Sequence, residues 1–220
     1  MSGRAARSIW KTETDLRAQG YARVAGVDEA GRGPLAGPGV AAAVILPPRC
    51  RLPGLADSKT LRPEHRTRLS ELIRRRAVAF GVGVVDSHTI DELNIRRATL
   101  IAMRQSISRL VPPPEVVLVD GLEVPASCLP AHALVDGDAR CACIAAASIL
   151  AKVTRDRLME ELEVRYPGYG FAQHKGYGTE EHLTQLRALG PCPEHRRSFA
   201  PVLEVWQQRL PFREHDVILP

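Results

Sequence analysis

The sequence predicts an α/β protein, and two observations carry that prediction. Short apolar runs with strand-like composition recur along the chain, and longer segments between them show apolar residues at helical spacing. Glu115–Val119 (EVVLV) is almost wholly apolar, which is typical of a strand buried on both faces between helices. At 220 residues the chain is long enough for one well-buried core.

The first half of the chain predicts a hairpin followed by a helix and a third strand. Val24, Ala25 and Val27 begin an apolar run that a glycine/proline turn separates from Val40–Leu46, so the two runs are expected to pair as a hairpin. The other predicted elements of this half are a short helix over Thr12–Gln19, a helix entered near Pro63, and a strand over Val78–Val85.

The second half predicts mainly helices. One helix is expected from Ser87 or Thr89 through Ile107, because its apolar residues keep helical spacing. After Glu115–Val119, a fifth strand is predicted over Ala131–Val135, and the strongest helix over Cys141–Arg165. Residues 166–178 form an irregular, glycine-rich and aromatic stretch, the kind of loop that commonly carries a site. Two more helices are predicted, one from Thr179 and one over Phe199–Leu210.

Composition narrows the class of function. The net charge of +5 and the pI near 9.2 favour an anionic partner. No signal peptide and no run of about 18 apolar residues is found, so no membrane association is expected. The five cysteines are odd in number and lack paired zinc spacing, and Cys141-x-Cys143 is interpreted as two small residues at a helix start. A reducing cytoplasm is the expected location.

Acidic residues follow three of the predicted strands. Asp28 and Glu29 end the first apolar run, Asp120 ends the fourth, and Asp136 and Asp138 follow the fifth. Because ligand sites of α/β sheets form outside strand ends, these carboxylates are expected to converge. Converging carboxylates repel one another unless cations bind, and hard oxygen ligands suit Mg²⁺ or Mn²⁺, a pair of which can clamp a phosphodiester. The alternative is an ordinary strand end with solvated acids.

The turn Gly31-Arg32-Gly33 directly after the acidic pair favours the first interpretation. Glycine lets a backbone approach a ligand closely, and arginine suits a phosphate. The basic helix after Pro63 carries a run of charge that is usually only a solvated face. The cluster His195-Arg196-Arg197 is expected to be structural or peripheral.

Several longer motifs resemble those of bacterial ribonuclease HII, in the same order from about Val24 to Val202. They read VAGVDEAGRGPLAGPGVAAAVIL, ADSKTL, IDELNIRRATLIAM, VLVDG, IAAASILAKVTRDRLM, HKGYGT and HRRSFAPV. The resemblance implies a ribonuclease H-like fold, in which a five-stranded mixed sheet is flanked by helices and followed by a small helical C-terminal part. It divides the chain into an N-terminal extension (1–20), a catalytic core (21–165), and a C-terminal loop and helical part packed beside the active site (166–220).

The resemblance also implies site residues. Asp28, Glu29, Asp120 and Asp138 would be the catalytic, metal-binding set. The family commonly has a basic residue where this chain has Asp136, and Asp138 is preferred because it holds the family's Gly-Asp position. Gly31, Arg32 and Gly33 would read the ribose, and Tyr177 would meet the sugar of the following nucleotide. The expected phosphate contacts are Lys59, Ser148, Lys152, His174 and Lys175, with helix packing as the alternative for Ser148 and loop hydrogen bonding as the alternative for His174.

The expected activity is that of a metal-dependent endoribonuclease acting as a monomer with Mn²⁺ or Mg²⁺. It would cleave RNA in RNA–DNA hybrids, and cleave on the 5′ side of ribonucleotides embedded in duplex DNA, leaving 5′-phosphate and 3′-hydroxyl ends. One rival is a different two-metal nuclease or resolvase, which Gly31-Arg32-Gly33 and Tyr177 argue against. The other is a catalytically silent nucleic-acid-binding module, which the retained acids argue against.

Overall fold

A computed structural model describes residues 9–55, 61–126 and 129–209. Five strands lie in this part of the chain, at Val24–Ala30 (β1), Gly39–Ile45 (β2), Ala79–Val85 (β3), Val116–Asp120 (β4) and Ala131–Leu134 (β5). The helices there are Lys11–Ala18 (α1), Pro63–Arg76 (α2), Ser87–Leu93 (α3), Ile95–Ser108 (α4), Gly137–Arg140 (α5), Ala142–Arg165 (α6), Phe171–His174 (α7), Glu180–Leu189 (α8) and Ala200–Arg209 (α9).

The five strands form one mixed sheet in the order β3-β2-β1-β4-β5. The predicted hairpin is confirmed, since β1 and β2 pair antiparallel with Val27 opposite Ala43. On its other side β1 pairs parallel with β4, with Val27 opposite Val119, and β4 pairs parallel with β5. The predicted five-stranded mixed sheet with flanking helices is therefore confirmed, and β1 lies at its centre.

Helices cover both faces of the sheet. On one face α6 packs with α1 and α2, and on the other face α4 packs against β1, β2 and β3. The approach of α6 is unusually close, because a Cβ atom placed on Gly26 of β1 would lie 2.2 Å from the backbone carbon of Cys143. A glycine at the centre of β1 therefore sets the distance between the longest helix and the sheet.

The single helix predicted from Ser87 or Thr89 through Ile107 is wrong, because two helices replace it. They meet at Asn94, whose φ of 66° lies outside the helical range, and whose side chain accepts a hydrogen bond from the backbone N–H of Arg97. The first helix is capped by Asp86, which accepts from the N–H of Thr89 at 2.7 Å. Side chains that compete for backbone N–H groups end one helix and begin the next.

The remaining elements follow the predictions within one to three residues, with two additions. The four-residue helix α5 precedes α6, so the long helix begins at Ala142. The irregular segment 166–178 contains the short helix α7, and Thr179 caps α8 by accepting from the N–H of His182. No helix in the three described ranges is long and apolar enough to span a bilayer.

Candidate active site

Asp28 and Asp120 lie side by side toward the carboxyl ends of β1 and β4. The β1–β4 register pairs Val27 with Val119, so the next residue of each strand is one of these acids. Asp28 is 5% exposed and accepts hydrogen bonds from the N–H of Glu29 at 2.7 Å and from the hydroxyl of Ser148 on α6. The sheet and the long helix thus fix the carboxylate of Asp28 from two sides.

The charges in this group oppose one another. Burial raises the pKa of Asp28 well above its ordinary value, and the carboxylates of Glu29 and Asp120 raise it further. Burial also raises the pKa of Glu29, against the opposing effect of Arg32, whose Nη1 lies 3.4 Å from Glu29 Oε1. Ionising Asp28 and Glu29 together is therefore unfavourable without a positive charge near them.

The loop after β5 places Asp138 inside and Asp136 outside. Asp120 Oδ1 accepts from the N–H of Gly137 at 2.7 Å, which ties this loop to the end of β4. Asp138 is 5% exposed, whereas Asp136 is exposed and has a left-handed φ of 55°. The burial agrees with the preference for Asp138 as the fourth acid.

Asp28, Glu29 and Asp120 line a cavity of about 230 Å³ together with several of the other predicted contacts, whereas Asp138 is not among its described lining residues. It is lined by Asp28, Glu29, Ala30, Gly31, Arg32, Gly33, Asp120, Ser148, Lys152 and Tyr177. Carboxylate oxygens are its candidate metal ligands, and among the described residues neither histidine nor cysteine lines it, which fits a hard cation such as Mg²⁺ or Mn²⁺. The donor set therefore fits the metal ion that the sequence predicts.

A second group of candidate ligands lies elsewhere. In the described ranges, the only three ligand atoms of histidine, cysteine or acidic residues within 4.8 Å of one another belong to Glu13, Cys141 and Cys143. Glu13 Oε1 accepts from the N–H of Cys143 at 2.9 Å, and burial raises the pKa of the Cys143 thiol well above its ordinary value. Glu13 thus caps the start of α6, where the sequence placed the two cysteines, and all three residues are 0% exposed.

The two glycines of the Gly31-Arg32-Gly33 turn have different surroundings. Gly31 has φ of +98°, and a Cβ atom there would lie 2.1 Å from Nε of Arg155, so its glycine is required by packing toward the interior. A Cβ on Gly33 would meet only the ring of Tyr177, at 3.8 Å. Packing against Arg155 therefore gives Gly31 a structural reason that the sequence did not show, and the predicted approach of a ligand to the turn stays a prediction.

The predicted phosphate contacts have different settings. Lys152 lines the acidic cavity and pairs with Asp156. Lys175 pairs with Glu160 at 2.7 Å and faces a neighbouring groove of about 550 Å³, which Lys152 also lines. Lys59 lies outside the described residues.

His174 is held within the C-terminal loop. Its Nε2 lies 2.7 Å from the carbonyl of Tyr169, and its Nδ1 accepts from the N–H of Gly176 at 3.1 Å. Because both ring nitrogens bind the protein's own backbone, the geometry supports the loop-bonding alternative over the expected phosphate contact.

Two further histidines support Tyr177 and were not singled out for this role by the sequence. His182 Nδ1 donates to the carbonyl of Tyr177 at 2.9 Å, and His182 Nε2 lies 3.1 Å from His195 Nε2. His195 Nδ1 in turn accepts from the N–H of Cys192 at 3.1 Å. Burial lowers the pKa of His182 to about 4 and that of His195 to about 3, so both rings are neutral at pH 7. The structural role expected for His195 agrees with this arrangement.

Comparison with known proteins identifies the family. The family model described as Ribonuclease HII matches residues 25–202, which include every acid of the site. The chain belongs to the ribonuclease HII family.

Relatives and solved structures agree with this assignment. A ribonuclease HII of Geobacillus kaustophilus is 58% identical over 197 residues, which cover 90% of this chain and 75% of the relative. The crystal structure of ribonuclease H2 from Pyrococcus horikoshii OT3 superposes with a TM-score of 0.72 at 27% identity, covering 84% of this chain and 98% of the other. A ribonuclease HII of Archaeoglobus fulgidus, solved in complex with PCNA, superposes with a TM-score of 0.67 at 30% identity, covering 79% of this chain and 92% of the other.

Membership in the ribonuclease HII family defines the reaction class. The chain is a metal-dependent ribonuclease H, an endonuclease that hydrolyses RNA in RNA–DNA hybrids. The ribonuclease H-like fold predicted from the sequence is confirmed by the same structural neighbours.

Proposed function

We propose that this ribonuclease HII cleaves on the 5′ side of a single ribonucleotide in duplex DNA, as well as within longer hybrids, using Asp28, Glu29, Asp120 and Asp138. The observation that carries the proposal is the shared cavity, in which three of these acids, the Gly31-Arg32-Gly33 turn and Tyr177 face the same space. A substrate phosphate near the acids would place its adjoining sugars beside the turn and the tyrosine.

The four acids would hold divalent cations, and Mn²⁺ or Mg²⁺ suits their oxygens. When bound, such cations stabilise the negative charge that develops on the phosphate during hydrolysis. Ser148 orients Asp28 through its hydrogen bond, and Arg32 offsets part of the charge of Glu29. Lys152, which lines the cavity beside them, is positioned to contact the phosphate backbone.

Tyr177 would select the junction between RNA and DNA. Its side chain is 45% exposed, and its ring lies beside the turn at Gly33. A ring packed on a deoxyribose leaves no room for a 2′-hydroxyl there, so the nucleotide after the ribonucleotide would be DNA. The 2′-hydroxyl itself would be read by the backbone of the turn, since that group distinguishes RNA from DNA.

The C-terminal part would complete the catalytic core. The C-terminal part predicted over 166–220, of which 210–220 lie outside the described residues, is proposed as a unit packed beside the active site, because Tyr177 lines the cavity and His182, paired with His195, binds its carbonyl. We also infer that the enzyme acts as a monomer, since one chain supplies every predicted site residue within the described ranges. Its proposed location is the cytoplasm.

The deciding experiment uses end-labelled 20-base-pair duplexes that contain one ribonucleotide, four ribonucleotides or none. With Mn²⁺ or Mg²⁺, we expect a single cut on the 5′ side of the lone ribonucleotide, leaving 5′-phosphate and 3′-hydroxyl ends. The all-DNA duplex is the matched control and remains intact. Cleavage of the four-ribonucleotide duplex without cleavage of the single-ribonucleotide duplex would contradict the proposal while leaving the family assignment in place.

A further inference from the structure

Two arginines are buried directly beneath the Gly31-Arg32-Gly33 turn. Arg155 of α6 and Arg196, which precedes α9, are both 0% exposed. Their guanidinium groups donate to backbone carbonyls, and neither forms an ion pair with a carboxylate in the described parts of the chain. Burial lowers the pKa of Arg155 to about 10 and that of Arg196 to about 9, so both remain charged at pH 7.

Arg196 binds the turn itself. Its Nη2 donates to the carbonyl of Gly31 at 2.6 Å, and its Nη1 donates to the carbonyl of Arg32 at 3.1 Å. Nε and Nη2 also reach the carbonyl of Gly37, at 3.1 and 2.9 Å. One planar guanidinium thus holds the first two carbonyls of the turn, and the carbonyl of Gly37 beyond it, from the interior side.

These bonds dictate where the turn's N–H groups face. The peptide bonds that follow Gly31 and Arg32 are trans, so each carbonyl points away from the N–H of the next residue. With both carbonyls directed inward to Arg196, the N–H groups of Arg32 and Gly33 are directed outward. Both residues are exposed and line the acidic cavity, and in the described ranges neither N–H has a backbone or side-chain acceptor.

Arg155 packs against Gly31 of the same turn. It packs where a Cβ on Gly31 would lie, and its Nε donates to Pro38 at 3.0 Å. Its Nη1 donates to the carbonyl of Lys175 at 2.9 Å, two residues before Tyr177. The pair therefore joins the turn to the loop that presents the tyrosine.

We infer that Arg196 is a positioning residue for sugar recognition, which presents the N–H groups of Arg32 and Gly33 to the 2′-hydroxyl of the substrate. The inference rests on the proposed function, and it adds a residue that does not touch the substrate. A buried, unpaired charge is costly, and an apolar side chain of similar size would often be no less stable. Arg196 is explained by its hydrogen bonds to the turn's carbonyls, since these bonds set the direction of the N–H groups of Arg32 and Gly33.

The test measures sugar preference by binding. Arg196→Lys is introduced into an Asp120→Asn background, which prevents cutting, and affinities are measured for two duplexes that differ by one 2′-hydroxyl. Lysine keeps the charge but loses the planar fork, so we expect the preference for the ribonucleotide duplex to fall by about tenfold, the worth of one hydrogen bond. The affinity for the all-DNA duplex should change by less than about twofold, because the phosphate contacts remain.

Two control variants separate positioning from loss of stability. Arg197→Lys changes the neighbouring arginine, which is exposed and stacks on Trp206 at 4.0 Å, and it should keep the full preference. Ile73→Val lowers the stability of the distant α2–α6 core, and it should lower the Tm without changing the preference. Two results would overturn the inference. One is the same preference for the ribonucleotide duplex with Arg196→Lys as with Arg196 unchanged. The other is a loss of preference in Ile73→Val as large as that in Arg196→Lys.

A measurement without any change at Arg196 guards against a variant that does not fold. In the Asp120→Asn protein, the amide resonances of Arg32 and Gly33 should shift on addition of the single-ribonucleotide duplex, and shift less with all-DNA. Identical shifts with both duplexes would overturn the inference. If the shifts are identical but the wild-type enzyme cuts the single-ribonucleotide duplex, the proposed function stands and only the role of Arg196 fails.

Discussion

Asp28 and Asp120 occupy equivalent positions on neighbouring parallel strands, each one residue beyond the pair Val27–Val119. This register brings together two carboxylates that are 92 positions apart in the sequence. Because hydrogen bonds along the ladder hold the two strands, the distance between the acids is set by the sheet and not by a flexible loop. Their repulsion is therefore built into the folded state.

Asp120→Asn should abolish hydrolysis. Loss of one carboxylate weakens binding of a cation that contributes several kcal/mol of transition-state stabilisation, so we expect activity to fall by about three orders of magnitude. Single-turnover cleavage of the single-ribonucleotide duplex measures this effect. Asp136→Asn is the matched control, since it removes an exposed acid from the same region, and it should keep most of the activity. Full activity in Asp120→Asn would contradict the assignment of the acids.

Asp28→Asn should stabilise the protein in chelator. The pKa of Asp28 is raised in the folded state, so its contribution to stability is complete below the ordinary pKa and is lost as pH rises through the raised value. At neutral pH the variant removes this penalty and should unfold at a higher temperature than the wild type. Thermal unfolding at pH 5 and pH 8 checks the prediction, and Asp136→Asn again serves as control. A lower Tm for Asp28→Asn at both pH values would contradict it.

The His182–His195 pair predicts acid sensitivity. Their pKa values fall from 6.5 to about 4 and about 3, so the folded state binds fewer protons than the unfolded state between pH 3 and 6.5. Stability is therefore complete above pH 6.5 and is lost as pH falls, by on the order of 3 kcal/mol for His182. Urea unfolding at pH 7.5 and pH 5 measures the slope. His182→Asn keeps a donor for the Tyr177 carbonyl and removes the titration of His182, so an unchanged slope in this variant would exclude His182 as its source.

Tyr177→Ala should lose most activity on the single-ribonucleotide duplex, because the ring that packs on the following sugar is gone. Tyr177→Phe keeps the ring and should keep most of the activity. Cleavage of an all-RNA strand in a hybrid provides a second comparison, and Tm reports the fold of each variant. Wild-type cleavage of the single-ribonucleotide duplex by Tyr177→Ala would make the tyrosine a structural residue only.

The sequence predicts the elements that depend on local pattern. The apolar runs identify all five strands, and the acids that follow three of them mark the site. The order β3-β2-β1-β4-β5 is not visible from the residues, since it depends on contacts between distant segments. The break at Asn94 was missed because apolar spacing continues across it. Asparagine is nevertheless a preferred N-cap residue, and Asn94 caps the second helix by accepting from the N–H of Arg97.

Arg155 was missed for a different reason, and Arg196 was only grouped with its neighbours as structural or peripheral. Their partners are carbonyl groups, which every residue has, so no pairing with an acid reveals them. Arg155 does carry one local signal, because it replaces an apolar residue in the buried row Ala151, Arg155 and Met159 of α6. A charge at a core position of a helix indicates a backbone contact or a site.

Gly26 limits the ways in which this active site can evolve. Any side chain at Gly26 would push α6 away from β1, and α6 carries Ser148, which bonds Asp28, and Arg155, which holds the turn. A change of helix spacing would therefore disturb catalysis and sugar selection in one step. Leu122 and Tyr177 are exposed, line cavities beside the acids and leave this spacing intact, so we expect substrate preference to change most readily at such positions. Because Gly26 leaves no room for a larger side chain, changes in substrate preference are expected in the loops around the site.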